Sequence, residues 1–398
     1  MDKKIALIIL GMHRSGTSAL TGVLNLMGVS LGKELLQPQF DNPKGYFENR
    51  EITLFNEKVL LPVLDSTWWD LKPIKIEQII KSTDLIEKAK DIITKNFQEE
   101  TIFAIKDPRM CILFPFWEKV LKDLGIDIKV IIPLRNPYEV AMSLKHRNFF
   151  TLEHGVLMWC KHVLYAEHYS RNYKRVFVYF DELLNNPKKV IKKIKNKLNI
   201  IFPQNFESVH KEIEELLEKD LKHYNFTNTI PIEIPFIKEI VNKFYPKVAK
   251  LNYQYLDELK NQYDTIVQFM YKAIGSKSLA SVIEYKEEFI SRYFDLFRID
   301  NVNFNLLTRT FSFGGLACLK KEMDHKYSLI AKIKEQMVNI EWKLPCPWYA
   351  QNNPENPHSK NARFLCQNLK ISEDVVIEIY IAEENSMKEL LSRLEIKV

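Results

Sequence analysis

Nowhere in this 398-residue sequence does an apolar run reach the roughly 18 to 20 residues that cross a bilayer as a helix, which excludes a membrane-embedded helical body. Cysteine is scarce as well. The five present (Cys111, Cys160, Cys318, Cys346, Cys366) are odd in number and never spaced CxxC, so neither a disulfide framework nor a zinc site is expected, and a reducing cytoplasm fits best. Excess charge of one sign is nearly missing: 57 Lys and Arg face 51 Asp and Glu, and the resulting +6 does not argue for nucleic acid. It leaves room for an anionic ligand. There is no internal repeat and no low-complexity tract, and 46% hydrophobic with 27% charged residues excludes extended disorder. The opening apolar stretch runs straight into His13 and Arg14 where a secretory leader would place small residues, so it reads as a first strand.

What is present is an alternation. KIALIIL (4–10), TIFAIK (101–106), IKVIIPL (128–134) and RVFVYF (175–180) are continuous, β-branched-rich runs that suit strands buried on both faces of a parallel sheet. Leu20, Val23, Leu24 and Met27 follow helical spacing directly after the first run, making strand, turn and helix one unit. The expected fold class is therefore α/β: a three-layer parallel sheet with a P-loop-like turn, plus a mostly helical C-terminal extension. The proline-bearing stretch near 225–236 suggests domains at 1–228 and 229–343, with a Pro/Asn-rich loop and small α+β tail at 344–398. Helical spacing at Ile237, Ile240, Val241, Phe244 and Val248, and at Val282, Tyr285, Phe289 and Leu296, underlies the helical reading. In the tail, 375–381 reads as a strand and the Glu/Leu-rich end as a short helix.

Two segments carry chemistry. GMHRSGTS (11–18) joins a buried strand to a helix, where successive amides and the helix dipole can hold a phosphate. A nucleoside-triphosphatase loop would have Lys where Thr17 stands, and the cation is instead Arg14, inside the loop. The plain alternative is an ordinary capped turn. Further on, Arg135 leaves the end of a strand, Asn136-Pro137 starts a helix, and Ser143 lies two turns along it. Ligands of open α/β sheets bind at strand C-terminal ends, so Arg135 is expected in the crevice of the phosphate loop, although a solvent-facing Arg before a helix-starting Pro reads equally simply.

Together these segments resemble the sulfotransferases that use 3′-phosphoadenosine 5′-phosphosulfate (PAPS). The loop Arg14-Ser15-Gly16-Thr17-Ser18 is similar to the family's 5′-phosphosulfate loop, and Arg135-Asn136-Pro137 with Ser143 to its 3′-phosphate segment. Phe180-Asp181-Glu182-Leu183 with Asn186-Pro187 resembles a later strand end, with Phe180 where cytosolic members have a Tyr near adenine. The resemblance covers about residues 4–228. It departs at Lys106-Asp107-Pro108-Arg109, where those members carry a K-x-H motif whose His is the base and this chain has Pro108. The base must then come from elsewhere, and the resemblance to carbohydrate and tyrosine sulfotransferases implies a carboxylate of 41–51, Glu48 first and Glu51 in reserve, with His13 a rival. Lys106 is implied to stabilise the leaving group, and Lys222 and His223 are where some relatives reach the 3′-phosphate.

The implied activity is sulfuryl transfer from PAPS, as co-substrate, to a hydroxyl acceptor, expected among carbohydrates and glycan precursors, with no metal required. The rivals are a P-loop kinase or other ATP-dependent phosphotransferase, and a catalytically silent nucleotide-binding scaffold. Neither oligomeric state nor acceptor identity can be read. Lysines of 188–197 surround an apolar stripe at Val190, Ile191, Ile194 and Leu198, which marks a solvated amphipathic helix and leaves peripheral membrane contact open. His154, His162 and His168 lack metal-pair spacing and read as structural. Tyr253, Tyr255, Tyr263, Trp342, Trp348 and Tyr349 are either core or a sugar-stacking surface.

Overall fold

The computed structural model describes residues 3–38, 45–148, 150–217, 234–274, 280–286, 290–291, 293–305, 310–321, 323, 327–334, 336–344, 355–358, 362–370, 375–383 and 386–396. The chain divides into two compact units, one holding most of residues 1–267 and the other mainly 268–398.

In the first unit the four apolar runs form β1 (Ile5–Ile9), β2 (Ile102–Lys106), β3 (Asp127–Leu134) and β4 (Arg175–Tyr179). They make one parallel sheet in the order β2-β1-β3-β4. The α/β core expected from the sequence is present. Crossing from β2 over β1 to β3 reverses the direction of winding beside β1, which creates a crevice beyond the C-terminal ends. The register aligns Ile9 with Lys106 on one side and with Ile131 on the other, and Leu134 with Tyr179, so the residues after each strand emerge at one edge.

Both faces are covered. Leu7, Ile9, Ala104, Ile131, Val176 and Val178 share a core with Leu20, Val23 and Leu24 of α1 (Thr17–Leu26) and with Val190, Ile191, Ile194 and Leu198 of the helix Pro187–Leu198. That lysine-rich helix does bury its apolar stripe. On the opposite face Phe103 stacks on Phe97 of the helix Thr83–Phe97, ring centroids 4.2 Å apart. The chain after α1 returns through α2 (Arg50–Phe55), which continues into a π-helical turn over Asn56–Leu60. Such turns mark places where a helix is held out of regular register by its contacts. Asn56 does hold two: its amide donates to Asp107 at 2.8 Å and its carbonyl accepts from the Trp117 indole at 2.8 Å.

The extension corrects the helical expectation. Among the described residues the helices Pro235–Glu239 and Tyr253–Ile274 are followed, past Ile274, by helical residues only at 290, 291, 293, 357 and 358. Beyond them, among the described residues, come nine strands: β5 (Ala280–Tyr285), β6 (Phe294–Asn305), β7 (Thr310–Leu319), β8 (Tyr327–Ile333), β9 (Gln336–Asn339), β10 (Glu341–Leu344), β11 (Arg363–Lys370), β12 (Val375–Glu383) and β13 (Ser386–Ile396). They form two antiparallel sheets, β10-β11-β7-β6 and β5-β13-β12-β8-β9. Phe297, Phe313 and Phe364 of one sheet and Leu329, Ile377, Ile379 and Leu394 of the other lie in a single apolar cluster, which makes this unit a β-sandwich. Val282, Tyr285 and Leu296 sit on β5 and β6, not on helices, and Phe289 lies outside the described residues. The strand expected at 375–381 is there, while the expected final helix is β13, paired along its length with β12. Cys111, Cys160, Cys318 and Cys366 are buried free thiols.

Candidate active site

Each of the four parallel strands delivers a side chain to the same edge. After β1, the backbone turns tightly through Arg14 at φ 66° and Gly16 at φ 80°, left-handed positions that bend the loop before α1 begins at Thr17. Gly16 is required twice over: a Cβ there would meet the positive φ and would collide with the Phe180 ring lying against it. Gly16→Ala is accordingly expected to lower stability by about 1 to 3 kcal/mol, read by denaturant unfolding.

The loop's basic group is engaged across the crevice. Arg14 Nε donates to Ser143 Oγ at 2.8 Å, and Arg135 donates through Nη1 to the Arg14 carbonyl at 3.3 Å. Arg135 is only 6% exposed. Its Nε donates to Glu139 Oε2 at 3.0 Å and its guanidinium lies 5.1 Å from the centre of the Phe180 ring. Its Nη2 is buried without a hydrogen-bond partner among the described residues, and so is the Ser15 hydroxyl inside the loop. Buried donors without acceptors are costly. Their presence together beside a helix N-terminus fits an anion that brings its own oxygens.

On the β2 side, Lys106 is nearly fully buried and uses all three ammonium hydrogens: to Glu48 Oε1 at 2.6 Å, the Tyr46 carbonyl at 2.8 Å and Ser18 Oγ at 3.1 Å. Glu48 is equally buried, and Thr53 donates to its other oxygen at 3.4 Å. Burial raises the Glu48 carboxyl above its ordinary value of 4.5, against the opposing pull of Lys106. The Glu48 backbone is fixed by a short antiparallel contact, its carbonyl accepting from Leu36 at 2.9 Å while Arg50 donates to Glu34 at 2.9 Å. Asn49 then caps α2 through its side chain.

The other expected residues fall around this pair. Asp107 and Arg109 form a structural unit: Asp107 accepts from the Arg109 backbone and guanidinium, both at 2.9 Å, and from Asn56, while Arg109 also reaches Glu57 at 3.0 Å. His13 is in the loop, its ring 4.4 Å from that of Trp68. Glu51 is not brought to Lys106. Its carboxylate accepts from Lys95 at 2.5 Å and from Asn96 at 2.7 Å, and the Lys95 bond holds its pKa below the ordinary value. Glu51→Gln is therefore expected to cost under about 1 kcal/mol in thermal unfolding and to leave turnover within about twofold. Lys222 and His223 lie outside the described residues.

Sequence reasoning missed three participants: Tyr46, whose carbonyl anchors Lys106; Asn56, which holds Asp107; and Trp68, which flanks the loop. Nothing local distinguishes them. Of the histidines read as structural, His162 bonds its own helix at the Met158 carbonyl, and burial lowers its pKa to about 3. Among the aromatics, Tyr263 is fully buried, Tyr253 is half exposed beneath Arg171, and Trp348 and Tyr349 lie outside the described residues.

A parallel α/β sheet with a phosphate-type loop after its first strand, and cationic side chains gathered from the ends of its neighbours, defines a protein that holds an anionic ligand at the C-terminal edge of its sheet. The chain belongs to the sulfotransferase domain family, whose sequence model matches residues 4–275. It is similar to an uncharacterized protein of Archaeoglobus fulgidus, 27% identical over 169 residues. That match spans 42% of this chain and 41% of the relative, about two fifths of its length. Among solved structures it is similar to the sulfotransferase domain of the Synechococcus PCC 7002 olefin synthase, with 16% identity, coverage of 63% of this chain and 95% of that one, and a TM-score of 0.36. Mouse sulfotransferase SULT7A1 complexed with PAP is another, with 15% identity, coverage of 68% and 89%, and a TM-score of 0.31.

Proposed function

We propose that this sulfotransferase takes its sulfuryl group from PAPS and moves it to a hydroxyl of a carbohydrate or glycan precursor. The observation that supports the reading is the buried Glu48–Lys106 pair beside the loop, a carboxylate and an ammonium 2.6 Å apart that in this reading serve as base and leaving-group cation. In this reading Arg14, Ser15, Gly16, Thr17 and Ser18 hold the 5′-phosphosulfate, while Arg135 and Ser143 hold the 3′-phosphate. Phe180 flanks the adenosine side.

Glu48 accepts the acceptor's hydroxyl proton as the oxygen attacks sulfur, and the S–O bond to the 5′-phosphate breaks. In the resting site Lys106 is neutralised by Glu48. As Glu48 gains the proton its hold on Lys106 weakens, so the ammonium becomes available to the leaving phosphate oxygen at the moment charge develops there. Ser18, bonded to Lys106 and belonging to the loop, is the natural relay for that shift. Thr17 at the position of a kinase lysine supports sulfuryl over phosphoryl transfer. Calorimetric titration decides between them: 3′,5′-adenosine bisphosphate (PAP) is expected to bind more tightly than ADP with Mg²⁺, and the reverse order would overturn the reading. Transfer of labelled sulfate from PAPS into glycans, lipids and phenols tests the acceptor class.

A further inference from the structure

The segment Ser66–Lys72 belongs to no helix or strand, yet it is held at three consecutive backbone carbonyls by side chains from distant helices. His154 Nε2 bonds the Trp69 carbonyl at 2.9 Å, Lys161 Nζ donates to the Asp70 carbonyl at 2.8 Å, and the Tyr263 hydroxyl donates to the Leu71 carbonyl at 3.1 Å. Inside the segment, Asp70 accepts from the Thr67 backbone at 2.8 Å and from the Ser66 hydroxyl at 3.2 Å. An irregular stretch ordinarily yields its carbonyls to water. Here a fully buried lysine is committed to one of them, and burial pushes its pKa down to about 8, so the tether is held against a desolvation cost.

What the tethers fix is a pair of indoles. Trp68 is 9% exposed and packs its ring on His13 of the phosphate loop, while Trp69 meets Trp68 edge to face at 5.4 Å and is 37% exposed. A rigid, partly open indole one ring away from the phosphate loop offers a flat apolar surface at low entropic cost. Building on the sulfotransferase function proposed for this site, we propose that Ser66–Lys72 is the acceptor-side wall and that Trp69 stacks against the apolar face of a pyranose ring whose hydroxyl is to be sulfated. Lys161, His154 and Tyr263 are positioning residues: they act through the loop backbone and touch no substrate. A pyranose suits the indole because its C–H face stacks on the ring while its rim of hydroxyls stays free to be sulfated.

The test uses the full chain saturated with PAP and a panel of methyl pyranosides of glucose, galactose and N-acetylglucosamine, observed by saturation-transfer NMR. The wild type is expected to saturate the ring C–H protons of at least one pyranoside. Trp69→Ala is expected to weaken that binding about tenfold, and Lys161→Met to weaken it while its melting temperature holds or rises, because a buried amine is exchanged for a thioether. Tyr263→Phe, which removes a single hydroxyl, gives a milder version should Lys161→Met fold poorly. Equal signals in wild type and Trp69→Ala, or none from any pyranoside in the wild type, would overturn the proposal. Wild-type protein that does not bind PAP would instead overturn the sulfotransferase assignment on which it rests.

Discussion

Glu48→Gln is expected to reduce turnover by about 10²- to 10⁴-fold while PAP still binds, because Glu48 is the proposed base and a positioned general base contributes on that order. Gln keeps the shape and still offers Lys106 an oxygen, so the geometry at 2.6 Å is largely preserved. What disappears is the ability to take a proton. The variant also leaves Lys106 with a buried charge and no counter-charge, and removing one partner of such a pair costs up to about 3 to 5 kcal/mol, softened here by the retained hydrogen bond. Assays belong well below the lowered melting temperature. The pH dependence supplies an independent check. As the proposed base Glu48 must be deprotonated, and burial raises its carboxyl above 4.5, so wild-type kcat/KM should fall with decreasing pH at a midpoint above that of an ordinary glutamate. Glu48→Gln should lose that limb. Retention of both turnover and limb would transfer the base role to another group, with His13 next in reach of the loop.

Arg135→Ala is expected to weaken PAP binding by about 100-fold, the worth of one or two charge-assisted hydrogen bonds. It also strips Glu139, itself 4% exposed, of its 3.0 Å partner. Stability should therefore fall too, by about 3 to 5 kcal/mol. Arg135→Lys separates the two effects. A lysine can restore charge near Glu139 but not the planar fork that also reaches the Arg14 carbonyl and leaves Nη2 for a ligand. The expected result is recovery of melting temperature without recovery of PAP affinity. Full affinity in Arg135→Lys would show that charge alone suffices.

The parallel core was legible because its strands are buried on both faces. KIALIIL or IKVIIPL can occupy few environments other than the middle of such a sheet, and local turn chemistry then fixes the loop and helix after each strand. Glu48 was favoured over Glu51 only through resemblance. The difference between them is tertiary: three residues apart, one carboxylate turns inward to Lys106 and the other outward to Lys95 and Asn96. The extension shows the opposite limit. SMKELLSRLEI has helix-forming residues throughout, yet it is β13, because pairing with β12 and β5 buries Leu391 and Leu394 in a sandwich that no short window contains.

By itself, then, the sequence determined the succession of strand and helix units along residues 4–228 and the placing of the two candidate anion-binding segments at strand ends, since both are read from patterning within a few residues. Only the tertiary structure decided which carboxylate meets Lys106, that the second unit is a β-sandwich, and that Trp68 and Trp69 are held beside the phosphate loop. They rest on hydrogen bonds and apolar contacts that no short window contains, some spanning about 60 to 190 positions, such as Glu48 with Lys106 and Leu71 with Tyr263, and the energies that choose among such partners arise only once water has been excluded from between them.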